Sequence, residues 1–244
     1  MKKLLICVYA LIAYATGMAS IVFLMGFLAD IGVPKTINGG PAADLPATLA
    51  TNIAILVAFL VLHSVMARPA FKARWTRIVP PVLERATYIL VSGITTFVMA
   101  WAWQPMPQTL WIVEQPVLKV VLYASYAFGW LMIVLATFNL DHFSFFGLRQ
   151  VWDHVLGRAA RSVPFTARFL YGVVRHPISL GWIILFWSTP HLTVGHLLFA
   201  GCMTLYIAIV TPIEEADLLD ALGDDYRRYR TRVRGFLPWK SPKQ

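Results

Sequence analysis

The stretch Tyr171-Gly-Val-Val-Arg-His-Pro-Ile-Ser-Leu-Gly181 sets Arg175, His176 and Pro177 at the mouth of an apolar run. Pro177 has a fixed φ and no amide hydrogen, which suits the first turn of a helix predicted from Ile178 to Thr189. The N–H groups of that first turn have no partner within the helix and point back toward Arg175 and His176, a seat for a carboxylate or phosphate. Further along, Glu214, Glu215 and Asp217 close the next apolar run. A cationic corner and an anionic corner at one membrane face suit a ligand that carries both signs of charge.

The elements that must hold these corners are membrane helices. Of 244 residues 58% are apolar and 14% charged, and the mean hydropathy is +0.65, too oily for a soluble domain. The predicted fold is an all-α integral membrane protein with four transmembrane helices, a C-terminal membrane helical hairpin and a cytoplasmic C-terminal helix. Spans are expected at Leu4 to Leu28, Ala47 to Ala67, Ala86 to Trp103 and Pro116 to Phe138. The Lys2-Lys3 start imitates a secretory signal, but the apolar run continues to Leu28, long enough to be retained as a span. The hairpin pairs Ile178 to Thr189 with Val194 to Ile213. Its first arm, roughly 18 Å long at the helical rise, is too short to cross a core of about 30 Å. Residues 1–115 form an N-terminal set of three spans, and residues 116–244 a core that holds the site.

Charge placement sets the orientation. The net charge is +9, and 19 of the 21 lysines and arginines lie at the N-terminus, in 68–85, in 149–175 and in 227–243. With the N-terminus inside, each of these segments is cytoplasmic. The termini and the site are therefore expected to face the cytoplasm. Anionic lipid headgroups explain the positive balance better than nucleic acid. Cys7 and Cys202 read as small buried hydrophobes. His191 and His196 fall in the hairpin turn as interfacial side chains, and no histidine pair has compact metal-ligand spacing, so no metal is expected. After Gly223, Asp224 or Asp225 is expected to cap a short basic helix with Tyr226, Tyr229 and Arg230 on one face.

Arg175-His-Pro-x-x-x-Gly181, Glu214-Glu-x-x-Leu218 and Gly223-x-x-Tyr-x-x-Tyr229 with a following Pro238, taken in order, resemble the isoprenylcysteine carboxyl methyltransferase superfamily and its phospholipid methyltransferase relatives. The resemblance implies an S-adenosyl-L-methionine site lined by His176, Pro177, Gly181, Glu214, Glu215 and Tyr226, with Arg175 near the carboxylate and Tyr229 and Arg230 alongside. The segment Thr137 to Trp152, with Pro164-Phe165 and Trp187 to Leu198, is similar to the bacterial methanethiol S-methyltransferases, membrane enzymes that make dimethyl sulfide. That group's pattern has an uncharged residue before His-Phe-Asp, whereas here Asp141-His-Phe-Ser144 has the acid moved.

Methyl transfer from a sulfonium to a thiolate turns two charged reactants into neutral sulfides. A dry, positioning pocket therefore supplies much of the rate. An alkanethiol ionises above the cysteine value of about 8.5, so a base or cation must favour the thiolate. His142 is the candidate base with Asp141 orienting it, and Arg149 the candidate cation; Asp141 and His142 read equally well as the polar end of the fourth span. Two other functions fit the same scaffold. One is methylation of a lipid-borne acceptor, a prenylcysteine carboxylate or phospholipid amine; the other is a non-catalytic NnrU-like membrane protein. The expected partners are a small thiol and membrane lipids.

Overall fold

The computed structural model describes residues 2–41, 44–159 and 166–236. Pro164, Phe165 and Pro238, which carry part of the resemblance, lie outside the described residues. The chain folds as α1 (Lys2–Ala29), α2 (Leu45–Ala67), α3 (Pro69–Trp75), a 3-10 turn (Pro81–Leu83), α4 (Glu84–Ala102), β1 (Thr109–Ile112), α5 (Pro116–Asn139), α6 (His142–Phe145) and α7 (Leu148–Val155). It continues through α8 (Leu170–Val173), α9 (Pro177–Trp187), β2 (His191–Thr193), α10 (Val194–Leu222) and α11 (Asp224–Arg232). Among the described residues five helices are long and apolar enough to cross a membrane: α1, α2, α4 with its leading 3-10 turn, α5 and α10. α9 has only 11 residues.

Two compact units divide the chain. The first comprises Met1–Thr109, His142–Val163 and Thr193–His196; the second comprises Leu110–Asp141, Pro164–Leu192 and Leu197–Gln244.

In the first unit α1 packs on α4 at a point where both backbones lack side chains. A Cβ on Gly93 would stand 3.1 Å from the Thr16 carbonyl and 3.2 Å from the Gly17 Cα. Ala10, Ala13, Ala86 and Val151 form a small-residue core there, joined by Cys7, Tyr9 and Leu148. Small residues let helices approach where lipid supplies no hydrophobic drive to associate.

In the second unit α5 and α9 meet through Gly129 and Gly181. A Cβ on Gly181 would stand 2.8 Å from the Gly129 carbonyl oxygen, and one on Gly129 would stand 2.8 Å from the Gly181 carbonyl oxygen. The Trp130 and Trp182 rings close edge-to-face one residue further, at 5.0 Å.

Three boundaries differ from the sequence expectation. The segments 104–115 and 190–195, which lie between predicted membrane segments, contain β1 and β2, which pair into a two-stranded sheet. The Val113 N–H also donates to the Pro190 carbonyl at 2.8 Å. Backbone groups near a membrane need such partners once Pro105 and Pro107 have ended the helix.

The second difference is in α10, expected to stop at Ile213, which runs to Leu222 with Pro212 inside it. A proline removes one backbone bond but does not break a helix whose neighbours resupply partners. The Thr211 hydroxyl donates to the Ile207 carbonyl at 2.7 Å in that turn. Glu214 and Glu215 therefore project from a continuous helix. Third, neither Asp224 nor Asp225 caps α11. Gly223, at φ +58°, is the N-cap residue, and the two acids bond Arg227 and Arg228 three residues on at 3.0 and 2.5 Å.

Candidate functional site

α8 ends at Val173, and the next three residues, of which Val174 is extended, lead into the proline that starts α9. The segment following α11 lies beside them. Val174 and Arg234 form a parallel bridge, the Arg175 N–H donates to the Arg234 carbonyl at 2.7 Å, and the His176 N–H to the Gly235 carbonyl at 3.1 Å. This pairing brings the ends of the Tyr171 stretch and of α11 to the acidic turn of α10.

One carboxylate oxygen gathers the cluster. Glu215 Oε1 accepts from Arg175 Nε at 2.8 Å, lies 2.7 Å from Arg175 Nη2, and is 2.8 Å from His176 Nε2. Arg175 Nη1 donates to the Val233 carbonyl at 2.6 Å, fastening the chain beyond α11. Glu215 Oε2 faces Arg230 Nε at 3.5 Å. The Arg175 and Glu215 side chains are 15% and 11% exposed, so water screens this pair far less than a surface pair.

Two separate corners, each open to one charge of a ligand, were expected. Instead Arg175 is already the partner of Glu215, and Arg230, with a side chain 42% exposed, is the outer cation.

Tyr226 and Tyr229 line the same cluster from α11, both buried, with ring centroids 5.8 Å apart. The Tyr229 hydroxyl donates to the Tyr171 carbonyl at 2.6 Å. Burial first, then the charge of Glu215, pushes the Tyr226 hydroxyl up to about 12, with Arg175 and Arg230 opposing. Burial and the neighbouring Tyr226 raise Tyr229 as well. Burial, then Tyr229, then Glu214 raise Tyr171.

A folded-state value raised above the ordinary tyrosine value of about 10 means the folded protein keeps protons that the unfolded chain releases, so stability falls as pH rises through that window. Thermal unfolding followed from about pH 9 to about pH 12 should show a steep loss above about pH 10. Tyr226→Phe is expected to flatten that slope; an unchanged slope would show that the loss arises elsewhere.

The remaining predicted residues are placed as follows. Pro177 is the first residue of α9 and is buried. Gly181 lies one turn further on, against Gly129, and that helix contact accounts for its lack of a side chain. Glu214 is half-buried and its charge acts on Tyr171. Arg175, His176, Glu215, Tyr226, Tyr229 and Arg230 thus come together around one carboxylate.

His142, Asp141 and Arg149 stand elsewhere in the chain. His142, in the first unit, is buried; its Nε2 is 3.0 Å from the Tyr14 hydroxyl and its ring 4.7 Å from that of Phe146. Asp141, at φ +73°, follows the C-cap Leu140 of α5 in the left-handed position that commonly ends a helix. Arg149 lines a cavity of about 420 Å³ with Cys7, Ala10, Phe143 and Trp152. His196, expected at the interface, is buried at 1% exposure. It sits in the first turn of α10, its N–H bonded to the Thr193 hydroxyl at 3.1 Å, because the β2 turn folds inward. Cys7 and Cys202 are free and half-buried.

Sequence reasoning missed three polar residues of the first unit. Arg85, at the end of the basic segment 68–85, belongs to α4 and donates from Nε to the Phe145 carbonyl at 2.6 Å. Its guanidinium lies over the Tyr88 and Phe145 rings at 5.1 and 4.8 Å. His63, inside α2, is 2.8 Å from the Tyr88 hydroxyl and 3.2 Å from the Ser92 hydroxyl. Tyr14 is the partner of His142. The spacing of Arg85, Tyr88 and Ser92 on one helix face was the available signal; nothing local marks Tyr14.

The NnrU protein family model matches residues 52–230, from α2 to the outer cation Arg230. The chain belongs to the NnrU family. Among its relatives, the methanethiol S-methyltransferase of Mycobacterium tuberculosis is 43% identical over 98% of each chain. The methanethiol S-methyltransferase of Pseudomonas deceptionensis is 42% identical over 97% of this chain and 90% of its own. Human nurim is 29% identical over 85% of this chain and 86% of its own. No solved structure matches. The NnrU-matched region contains the whole Glu215 cluster as far as Arg230, and the two methyltransferases cover α1 as well.

Proposed function

We propose that this NnrU-family chain is a methanethiol S-methyltransferase that takes its methyl group from S-adenosyl-L-methionine and releases dimethyl sulfide. The observation that carries the reading is full-length identity of 35–43% to relatives named for that activity. The charged cluster around Glu215 supports it. Residues 116–244 are the methyltransferase core in this reading.

The residues present fit a donor that bears an amino-acid zwitterion and a sulfonium. Glu215 Oε2, 3.5 Å from Arg230 Nε, is the proposed acceptor for the ammonium or sulfonium, with half-buried Glu214 adding negative charge one residue away. Arg230 and the N–H groups opening α9 suit the carboxylate. Arg175 and His176 hold the Glu215 carboxylate in place, and Tyr226 and Tyr229 wall it from water. The bound donor supplies an electrophilic methyl group. His142, 3.0 Å from the Tyr14 hydroxyl, is the proposed base for the thiol, with Asp141 proposed to orient it and Arg149 to stabilise the thiolate.

In this reading the protein spans the bacterial inner membrane with both termini and the site facing the cytoplasm, as the basic-residue count supports. α9 and α10 make the C-terminal membrane hairpin, and α11 is the cytoplasmic helix.

The test is headspace gas chromatography of cells fed methanethiol with and without the gene, paired with calorimetry of the detergent-solubilised protein and S-adenosyl-L-methionine. Dimethyl sulfide is expected only with the gene. Donor binding without dimethyl sulfide would favour a lipid-borne acceptor, and absence of binding would leave the non-catalytic alternative. If His142 is the base, His142→Ala should lower turnover near pH 7 by about a hundredfold, with partial recovery near pH 9, as expected for loss of a general base. Equal turnover across that range would remove His142 from the role.

A further inference from the structure

The cavity beside α1 lies within the first unit, as does His142. Cys7, Ala10 and Leu11 form its α1 wall. Tyr14 follows at the next helical step on the same face, and its hydroxyl is 3.0 Å from His142 Nε2. Phe143 joins the lining from α6, and its ring meets that of His142 edge-to-face with centroids 5.5 Å apart. Two elements thus connect the cavity wall to the same histidine, α1 through Tyr14 and α6 through Phe143.

Away from His142 the cavity opens sideways. Leu11 is 58% exposed, and Trp152, which lines the cavity from α7, is 59% exposed. Leu4, Val8 and Ile12 are exposed on α1 as well, so the mouth lies on an apolar face of a helix long enough to cross a membrane. The volume of about 420 Å³ falls in the range of about 300–1,000 Å³ found for small-molecule sites. Methanethiol, one methyl on one sulfur, fills little of it.

We propose that this groove is the thiol site, entered sideways from the bilayer, and that it takes straight-chain alkanethiols as well as methanethiol. The inference rests on the methyl-transfer reading for its occupant. A protonated alkanethiol is apolar and leaves water for lipid, so a lateral mouth delivers it without a water-filled path. At the His142 end the thiol gives its proton to the imidazole and its sulfur forms a bond to the donor methyl carbon. The bond from that carbon to the sulfonium breaks, and its electron pair stays on the donor sulfur. The alkyl methyl sulfide so formed is neutral and leaves by the same mouth, while an alkyl chain longer than methyl lies between Cys7, Leu11 and Trp152.

Maleimide labelling of Cys7 reads the groove without turnover. In the full chain carrying Cys202→Ser, a saturating concentration of butyl methyl sulfide should slow labelling by about tenfold or more. Leu4→Cys, in a chain with Cys7→Ser and Cys202→Ser, puts a thiol on the exposed face of α1 outside the groove, and its rate should not change. Unprotected Cys7, or equal slowing at the two positions, would overturn the proposal.

Turnover reads the occupant. A pocket fitted to a single methyl rejects each further methylene by about tenfold or more, whereas the groove predicts kcat/KM for butanethiol within about tenfold of that for methanethiol. Leu11→Trp, at an exposed position outside the core, should fill the mouth and lower the ratio of butanethiol to methanethiol kcat/KM by about tenfold. Methylation of methanethiol without butanethiol, or an unchanged ratio in Leu11→Trp, overturns the inference and leaves the methyl-transfer reading standing. A chain that methylates neither thiol overturns that reading and the inference together.

Discussion

Glu215→Gln is expected to weaken donor binding by about a hundredfold or more and to lower thermal stability at the same time. The substitution keeps the shape of the side chain and removes the one charge on which Arg175, His176 and Arg230 converge. Breaking a buried ion pair by neutralising one partner costs about 3–5 kcal/mol, because the other charge stays buried without compensation.

The structural effect has a defined route. Arg175 also holds the Val233 carbonyl, so a guanidinium that loses its carboxylate loosens the segment after α11 and with it the Tyr226 wall. Glu214→Gln is the control. It removes the same formal charge from a half-buried position one residue away, and should change affinity by less than about tenfold. Calorimetry with S-adenosyl-L-methionine and unfolding in detergent read the two effects separately. If Glu215→Gln leaves both unchanged while Glu214→Gln abolishes binding, the donor's positive charge is held by the other acid.

Gly181→Val should cost more stability than any conservative change elsewhere on α9. Its Cβ would stand 2.8 Å from the Gly129 carbonyl and 2.8 Å from Ile133 Cγ1, and the carbonyl is backbone that cannot swing aside. Overpacking of this kind costs about 1–3 kcal/mol, or about 2–4 °C of melting temperature per kcal/mol in a chain of this size. Gly181→Ala is expected to lower the melting temperature by several degrees, and Val to prevent recovery of folded protein from detergent.

Gly201→Ala, whose new Cβ meets open space, should be silent. The comparison also separates two roles for Gly181. A residue of the donor pocket would raise the donor KM without moving the melting temperature, whereas a packing residue moves the melting temperature first. The second pattern is expected.

The sequence alone carried the membrane class, because long apolar runs between basic loops have few other physical outcomes. It also carried the short arm α9, since Pro177 favours a helix start and eleven residues cannot cross a bilayer core. The order of Arg175, His176, the acidic pair and Tyr226 pointed to one charged site through a resemblance spanning separate segments.

Which glutamate meets Arg175 was a different matter. Glu214 and Glu215 are adjacent and chemically alike, and only the rotation of an uninterrupted α10, carried past Pro212, turns Glu215 to Arg175 and leaves Glu214 beside Tyr171. Gly181 is legible as a glycine in a motif, but its contact with Gly129 depends on a helix about fifty residues earlier, and sequence spacing does not encode that approach. Tyr14 against His142, and Arg85 between two aromatic rings, are pairings of residues far apart in the chain. Periodicity and charge count report what a segment must do for itself; the partner a buried polar group finds is decided by packing, and only the tertiary structure supplies it.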